Sequence, residues 1–178
     1  MISSYLFEVK RIIDSLDQAE IAKVIDILKN LKGRLFILGN GGSAANASHA
    51  VNDFRKIAGM EAYCPSDNVA ELTAWTNDEG WKYTYHHWLM GSHINKNDAV
   101  LVLSVGGGSP KTSHNIVEAL KLANAVEAKI LGIVGRDGGY TAKVAHACVF
   151  IPTVNIDHVT PHVESFQAIL CHLIVNAL

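Results

Sequence analysis

His49 and Asp53 stand four residues apart in the segment ILGNGGSAANASHAVNDF, so on a helix they share one face, a turn apart. Glu164 and His172 stand eight apart near the end of the chain, about 80° past two full turns and so close to one face of a second helix. Two imidazoles and two carboxylates brought together make either of two sites. Imidazole nitrogen and carboxylate oxygen suit a borderline divalent metal such as zinc. The same groups without a metal make an acid/base pair for moving protons. The spacing equally accommodates a packing role, with His49 against a core contact and His172 as a satisfied core histidine.

The residues ahead of His49 suit an anion. Leu38 is followed by Gly39-Asn40-Gly41-Gly42-Ser43, where Gly41 and Gly42 let the backbone approach a ligand and a helix N-terminus favours negative charge. No Lys-Ser/Thr follows, so this is not a Walker A loop, and the Gly-x-Gly-x-x-Gly dinucleotide spacing is missing. A plain turn with Ser43 as helix cap is the alternative. The second loop, Ser104-Val105-Gly106-Gly107-Gly108-Ser109-Pro110, offers consecutive amide N–H groups flanked by two hydroxyls, with Pro110 suited to a first helical turn. Two such loops point to one phosphate between them. A third turn, Gly135-Arg136-Asp137-Gly138-Gly139, has no hydroxyl pattern and reads as structural. Of the other histidines, His86 and His87 fall in the aromatic stretch YTYHHW, a packing or subunit contact. His158 and His162 flank Thr160-Pro161, a helix-start signal.

These residues need elements to hold them. Short apolar runs at Arg34–Leu38, Ala99–Leu103, Lys129–Val134 and Ala147–Ile151, with a weaker one at Met60–Cys64, read as strands. Continuous rather than alternating apolar runs predict a sheet covered on both faces. Helical stretches are expected at Ser43–Lys56, Trp81–Ile94, Pro110–Ala125, Tyr140–Ala145 and Pro161–Leu178. Ahead of the first strand, Tyr5 to Leu31 has apolar residues at three- and four-residue intervals, predicting one long or broken amphipathic helix, or two. Its apolar side needs a cover, and a second subunit is one way to supply it. Strand-then-helix repetition with glycine turns predicts a doubly wound α/β fold that binds ligands at the carboxyl ends of its strands.

Composition narrows the classes. The 178 residues are 49% hydrophobic and 18% charged, which fits one folded domain and excludes disorder. A net charge of −2 gives no reason to expect nucleic acid as a partner. Cys64, Cys148 and Cys171 lack CxxC spacing, so neither a disulfide framework nor a thiolate zinc site is expected. No apolar run is long enough to cross a membrane, and the first twenty residues carry charge where a signal peptide is apolar. A cytoplasmic location is expected.

Together these residues resemble the SIS (sugar isomerase) domain, and more closely the phosphoheptose isomerases, over essentially the whole chain. GNGGS followed six residues later by His49, then Asn77-Asp78, the Ser104 to Ser109 loop and the closing Glu164 to His172 helix come in that family's order. The resemblance implies a single SIS domain over residues 1–178, flavodoxin-like, with a long N-terminal helical segment. It implies phosphate and sugar contacts from Asn40, Gly41, Gly42, Ser43, Asn77, Asp78, Ser104, Val105, Gly106 and Ser109, with Asp53 and Glu164 also beside the substrate. His49, Asp53, Glu164 and His172 fall where family members hold zinc, and Asp53 and His172 where they keep the catalytic acid and base. A homotetramer with active sites between subunits is implied as well. The implied reaction converts sedoheptulose 7-phosphate to D-glycero-D-manno-heptose 7-phosphate through an enediol, feeding heptose into cell-surface polysaccharide. An isomerase of another sugar phosphate, a sugar-phosphate sensor, or an adaptor of the kind that contacts the replication initiator DnaA are the alternatives; the paired histidines and carboxylates favour an enzyme. Three positions depart from the family. Asp53 replaces the usual Glu, Glu164 the usual Gln, and Ser104-Val105-Gly106 a Ser-Thr-Ser type loop.

Overall fold

Each of the four strong apolar runs forms a strand whose carboxyl end opens into a loop. The computed structural model describes all 178 residues. In chain order the helices are α1 (Ile2–Asp14), α2 (Gln18–Lys29), α3 (Gly42–Lys56), α4 (Val69–Glu79), α5 (Thr84–Gly91), α6 (His114–Ala125), α7 (Gly139–Val144) and α8 (Val159–Ala177). The strands are β1 (Leu35–Leu38), β2 (Ala62–Tyr63), β3 (Ala99–Ser104), β4 (Lys129–Val134) and β5 (Ala147–Phe150).

All neighbouring strands pair in parallel, in the order β2-β1-β3-β4-β5. The fold is therefore a flavodoxin-like, doubly wound α/β sheet. The chain leaves β1 for β2 on one side and returns to β3 on the other, which opens a crevice at the carboxyl ends of β1 and β3. Alternation along β1 shows how both faces are covered. Leu35 and Ile37 join a core made with α1, α2, α3 and α8. Phe36 and Leu38 join the opposite core, against α5 and α6.

The N-terminal helical segment takes the two-helix form among those expected, because the Asp17 carboxylate caps a new start by accepting the N–H groups of Ala19 and Glu20 at 2.9 and 3.2 Å. Three other elements differ from expectation. Helix α4 was not expected; it buries no residue, so its sequence lacks the apolar stripe that reveals a helix. The Trp81–Ile94 helix shortens to α5 behind a 3-10 turn at Trp81–Tyr83. Helix α6 begins at His114 instead of Pro110, because Ser109 first closes a tight loop. Its hydroxyl accepts the N–H groups of Lys111 and Thr112 at 3.3 and 3.0 Å.

At the amino-terminal edge of the sheet, Arg34 joins β1 to β3 through Asp98, with guanidinium contacts of 3.3 and 2.8 Å. Burial raises the Asp98 pKa, and the hydrogen bonds from Arg34 and Asn95 outweigh it, holding the carboxyl below its usual range. The larger core depends on Phe54 of α3 and Phe166 of α8, both fully or almost fully buried. Phe166→Ala is expected to lower unfolding stability by about 3–5 kcal/mol, seen as a lower denaturant midpoint with an unchanged slope. A loss under 1 kcal/mol would show that α8 is not held by this core.

Candidate active site

The carboxyl ends of the strands open into a cavity of about 370 Å³. Asn40 and Ser43 line it after β1, Ser104, Val105, Gly106, Gly108 and Ser109 after β3, Arg136 and Asp137 after β4, and Thr160 at the start of α8. One lining residue is apolar. The first loop is pinned from below. The Tyr85 hydroxyl donates to the Gly39 carbonyl at 2.5 Å, and Asn40 and Asn115 exchange amide hydrogen bonds at 3.0 and 2.9 Å. In the second loop the Ser104 hydroxyl accepts the Gly107 N–H at 3.0 Å.

The third glycine turn locks onto the second loop. Thr141 donates to the Gly107 carbonyl from both its N–H (2.9 Å) and its hydroxyl (2.7 Å), and the Tyr140 N–H donates to Gly108 at 2.8 Å. The backbones approach so closely that a Cβ on Gly107 would lie 1.8 Å from the Gly138 carbonyl oxygen. The glycines of this turn are thus structural, as read from the sequence. Arg136 and Asp137 between them nevertheless face the cavity, which that reading missed. The available signal was position: a turn leaving a strand of this sheet ends at the ligand edge.

Helices α3 and α8 run side by side in the same direction along a polar seam. At its start the Glu164 carboxylate lies against Gly42, where any Cβ would meet it at 2.5 Å. Further along, the Asn46 side-chain amide donates to the Glu164 carbonyl and to Gln167 at 2.8 and 3.2 Å. Beyond that, Asp53 sits between His49 and His172. Its Oδ2 is 3.4 Å from His49 Nε2 and 3.1 Å from His172 Nδ1, and the two rings are 5.2 Å apart. Asp53 is 6% exposed. Its Oδ1 accepts from Asn52 at 3.0 Å, whereas Oδ2 is buried with no hydrogen-bond donor.

A buried carboxylate oxygen without a donor is costly, and a cation between it and the two imidazoles removes that cost. The three ligand atoms lie within 4.8 Å of one another, and both histidines are about half exposed, so the donor set fits a divalent ion. Glu164, expected as a fourth ligand, does not join them here. Eight residues put it about 12 Å from His172 along α8, and its carboxylate is at Gly42. Asn77 and Asp78 also stay apart from the cavity. They end α4, exposed, with the Asn77 amide donating to Asp78 at 2.8 Å. Cys171, beside Asp53, has its thiol pushed up to about 12 by burial and the nearby carboxylate, and is a poor nucleophile.

A second cluster was not foreseen. Glu8 Oε2 lies 2.7 Å from His162 Nε2 and 2.8 Å from His158 Nδ1, and Oε1 accepts from Asn155 at 2.8 Å. The Tyr5 ring packs 4.5 Å from that of His162. Hydrogen bonds from His162, Asn155 and His158 pull the Glu8 carboxyl down from 4.5 to about 2. The cluster clips α1 to the start of α8 and so fixes Thr160 at the cavity wall.

Comparison with known proteins agrees with this architecture. Residues 4–135 match the SIS domain model. The chain belongs to the SIS domain family. The phosphoheptose isomerase of Helicobacter hepaticus is 30% identical over 89% of this chain and 80% of its own length. That of Geotalea daltonii is 27% identical over 99% and 93%. Among solved structures, phosphoheptose isomerase GmhA from Neisseria gonorrhoeae superposes with a TM-score of 0.83 at 20% identity, covering 98% of this chain and 96% of that chain.

Two expected outcomes follow from this geometry. Gly107→Ala should disrupt the interlock of the second and third loops, because its Cβ meets backbone. Gly106→Ser should fold normally, since a Cβ there meets nothing within 4 Å; thermal unfolding of both variants tests the contrast. For Glu8, a lowered folded pKa means its stabilisation is complete above about 4.5 and is lost as the pH falls toward 2. The urea midpoint of the parent should therefore fall more between pH 6 and pH 3 than that of Glu8→Gln. Parallel curves would remove Glu8 from the account.

Proposed function

We propose that this protein is an aldose-ketose isomerase that converts sedoheptulose 7-phosphate to D-glycero-D-manno-heptose 7-phosphate, feeding heptose into cell-surface polysaccharide. The observation that carries the reading is the buried, donor-free Oδ2 of Asp53 between two imidazoles, on the helix whose first turn lines a polar cavity. The SIS domain assignment and the similarity to phosphoheptose isomerases support the substrate. The anion site and the acid/base cluster lie apart along α3; Ser43 and His49 alone differ by about 9 Å of helical rise. That separation suits an extended sugar phosphate better than a triose.

In this reading Asn40, Gly41, Gly42, Ser43, Ser104, Val105, Gly106 and Ser109 hold the phosphate end. Backbone amides carry much of the load, because Ser104 and Ser109 already cap their own loop. Isomerisation takes a proton from C1 and returns it at C2, while another proton moves between the two oxygens through an enediol. Asp53 is the carbon base. His172, 3.1 Å from it and half exposed, is the acid/base partner at the oxygens. His49, Asp53 and His172 would hold zinc or another divalent ion, and such an ion would polarise the carbonyl and stabilise negative oxygen.

Assembly completes the site. Ile2, Leu6, Phe7 and Ile13 of α1 and Ile169 and Leu173 of α8 are exposed apolar side chains, which supports a homotetramer. In it Asn77 and Asp78 of a neighbouring copy reach the sugar. No helix is long and apolar enough to cross a membrane; the location we propose is the cytoplasm.

Incubation with sedoheptulose 7-phosphate in D₂O tests the reaction. The parent is expected to form the aldose and to incorporate deuterium at the carbon next to the carbonyl. Asp53→Asn and His172→Ala should each lower turnover by about 10²- to 10⁴-fold while still binding the substrate. A parent that neither isomerises nor exchanges would refute the assignment.

A further inference from the structure

Arg136 is the one cationic side chain that lines the cavity. It occupies the first central position of the turn closed by the Gly138 N–H to the Gly135 carbonyl at 3.0 Å, with φ of +51°. A turn with positive φ there takes glycine by preference, and an arginine is strained. His93, Ser113 and Glu127 share this left-handed φ; what sets Arg136 apart is that it combines the strain with a cationic side chain lining the cavity. The neighbouring glycines of the same turn are fixed by the interlock with Gly107 and Gly108, so the base of the Arg136 side chain is held rigidly at the mouth. The guanidinium enters none of the chain's ion pairs, in contrast to Arg34, which is bound to Asp98. The adjacent Asp137 carboxylate accepts the Gly139 N–H at 3.2 Å and is used within the turn.

We propose that Arg136 binds the phosphate dianion of the substrate, closing over it from the β4 side while the glycine loops hold it from the β1 and β3 sides. The proposal rests on the reading of the cavity as a phosphate site and extends it. A guanidinium meets two phosphate oxygens with two parallel N–H groups, which an ammonium cannot do. It also supplies a full positive charge that the hydroxyls and amides around it lack.

The test compares the parent with Arg136→Gly and Arg136→Lys. For Arg136→Gly the KM for sedoheptulose 7-phosphate should rise roughly 10- to 150-fold, with a much smaller change in kcat. Calorimetric binding of inorganic phosphate should weaken by a similar factor. Removing the strain should at the same time raise the melting temperature by about 2–4 °C, which a structural role for Arg136 would reverse. Arg136→Lys should lie between parent and glycine variant in KM. Binding and KM within twofold of the parent in the glycine variant, or a drop in its melting temperature, would overturn the proposal. A parent that binds phosphate through Arg136 yet leaves sedoheptulose 7-phosphate unchanged would sustain the role of Arg136 and overturn the choice of sugar. A parent that binds neither compound overturns both.

Discussion

The Gly107 carbonyl accepts two hydrogen bonds from Thr141, and the rest of the ligand edge depends on that pairing. Three loops leave the carboxyl ends of β1, β3 and β4, and each alone is a glycine-rich segment with little to fix its path. Thr141 is fully buried in the first turn of α7, so the loop after β3 is fastened to a helix set on β4. The same contact excludes any side chain at Gly107, since the backbone of Gly138 takes the space. Glycine is required here by the approach of two main chains, and that approach sets the path of both loops. The loop after β1 is tied down separately, through Tyr85 to Gly39 and through the paired amides of Asn40 and Asn115. Rigid loops matter for a polar cavity, because amides already aimed at a ligand need not be reorganised when it arrives.

The second constraint is the parallel pairing of α3 and α8. Helices that run together keep corresponding positions level over several turns, so Gly42 meets Glu164, Asn46 meets Gln167 and Asp53 meets His172. One seam therefore carries groups of different character in sequence, from the start of α3 at the polar cavity to the imidazole pair. The apolar sides of both helices are anchored in the core by Phe54, Phe166 and their neighbours. That anchoring keeps Asp53 buried although His49 and His172 beside it are open to solvent.

The strands were legible because burial on both faces leaves uninterrupted apolar runs, as in Leu35–Leu38 and Ala99–Leu103. The strand-end glycine loops and the face shared by His49 and Asp53 were legible because turn chemistry and helical spacing are local. Helix α4 was not, since it packs without burying a residue. A start signal was present all the same: Asn68 accepts the Glu71 N–H at 3.3 Å, and its amide reaches back to the Glu71 carboxylate. The clip of Glu8 to His158 and His162 joins residues some 150 positions apart, and nothing in either segment alone points to the other. Glu164 shows the limit of helical spacing as a guide. Sharing a face with His172 fixes direction around the axis, whereas the separation along it leaves the side chain free to settle elsewhere.

The composition of the loop after β3 has a physical sense at the cavity. Val105 turns its side chain to the larger core, so the loop gains packing at a position that offers no hydroxyl. Gly106 leaves open space where a hydroxyl would stand. An anion in this cavity accordingly has fewer side-chain donors on the β3 side and relies more on backbone amides. Amide dipoles and hydroxyls orient an anion but carry no net charge, so by themselves they would leave a dianion uncompensated beside the Asp137 carboxylate. A guanidinium on the facing turn restores that balance with a full charge and a fixed fork of donors. The strain at Arg136 is then understandable: the interlock with Gly107 sets the path of the turn, and the turn brings that one residue to the side of the cavity where charge is lacking.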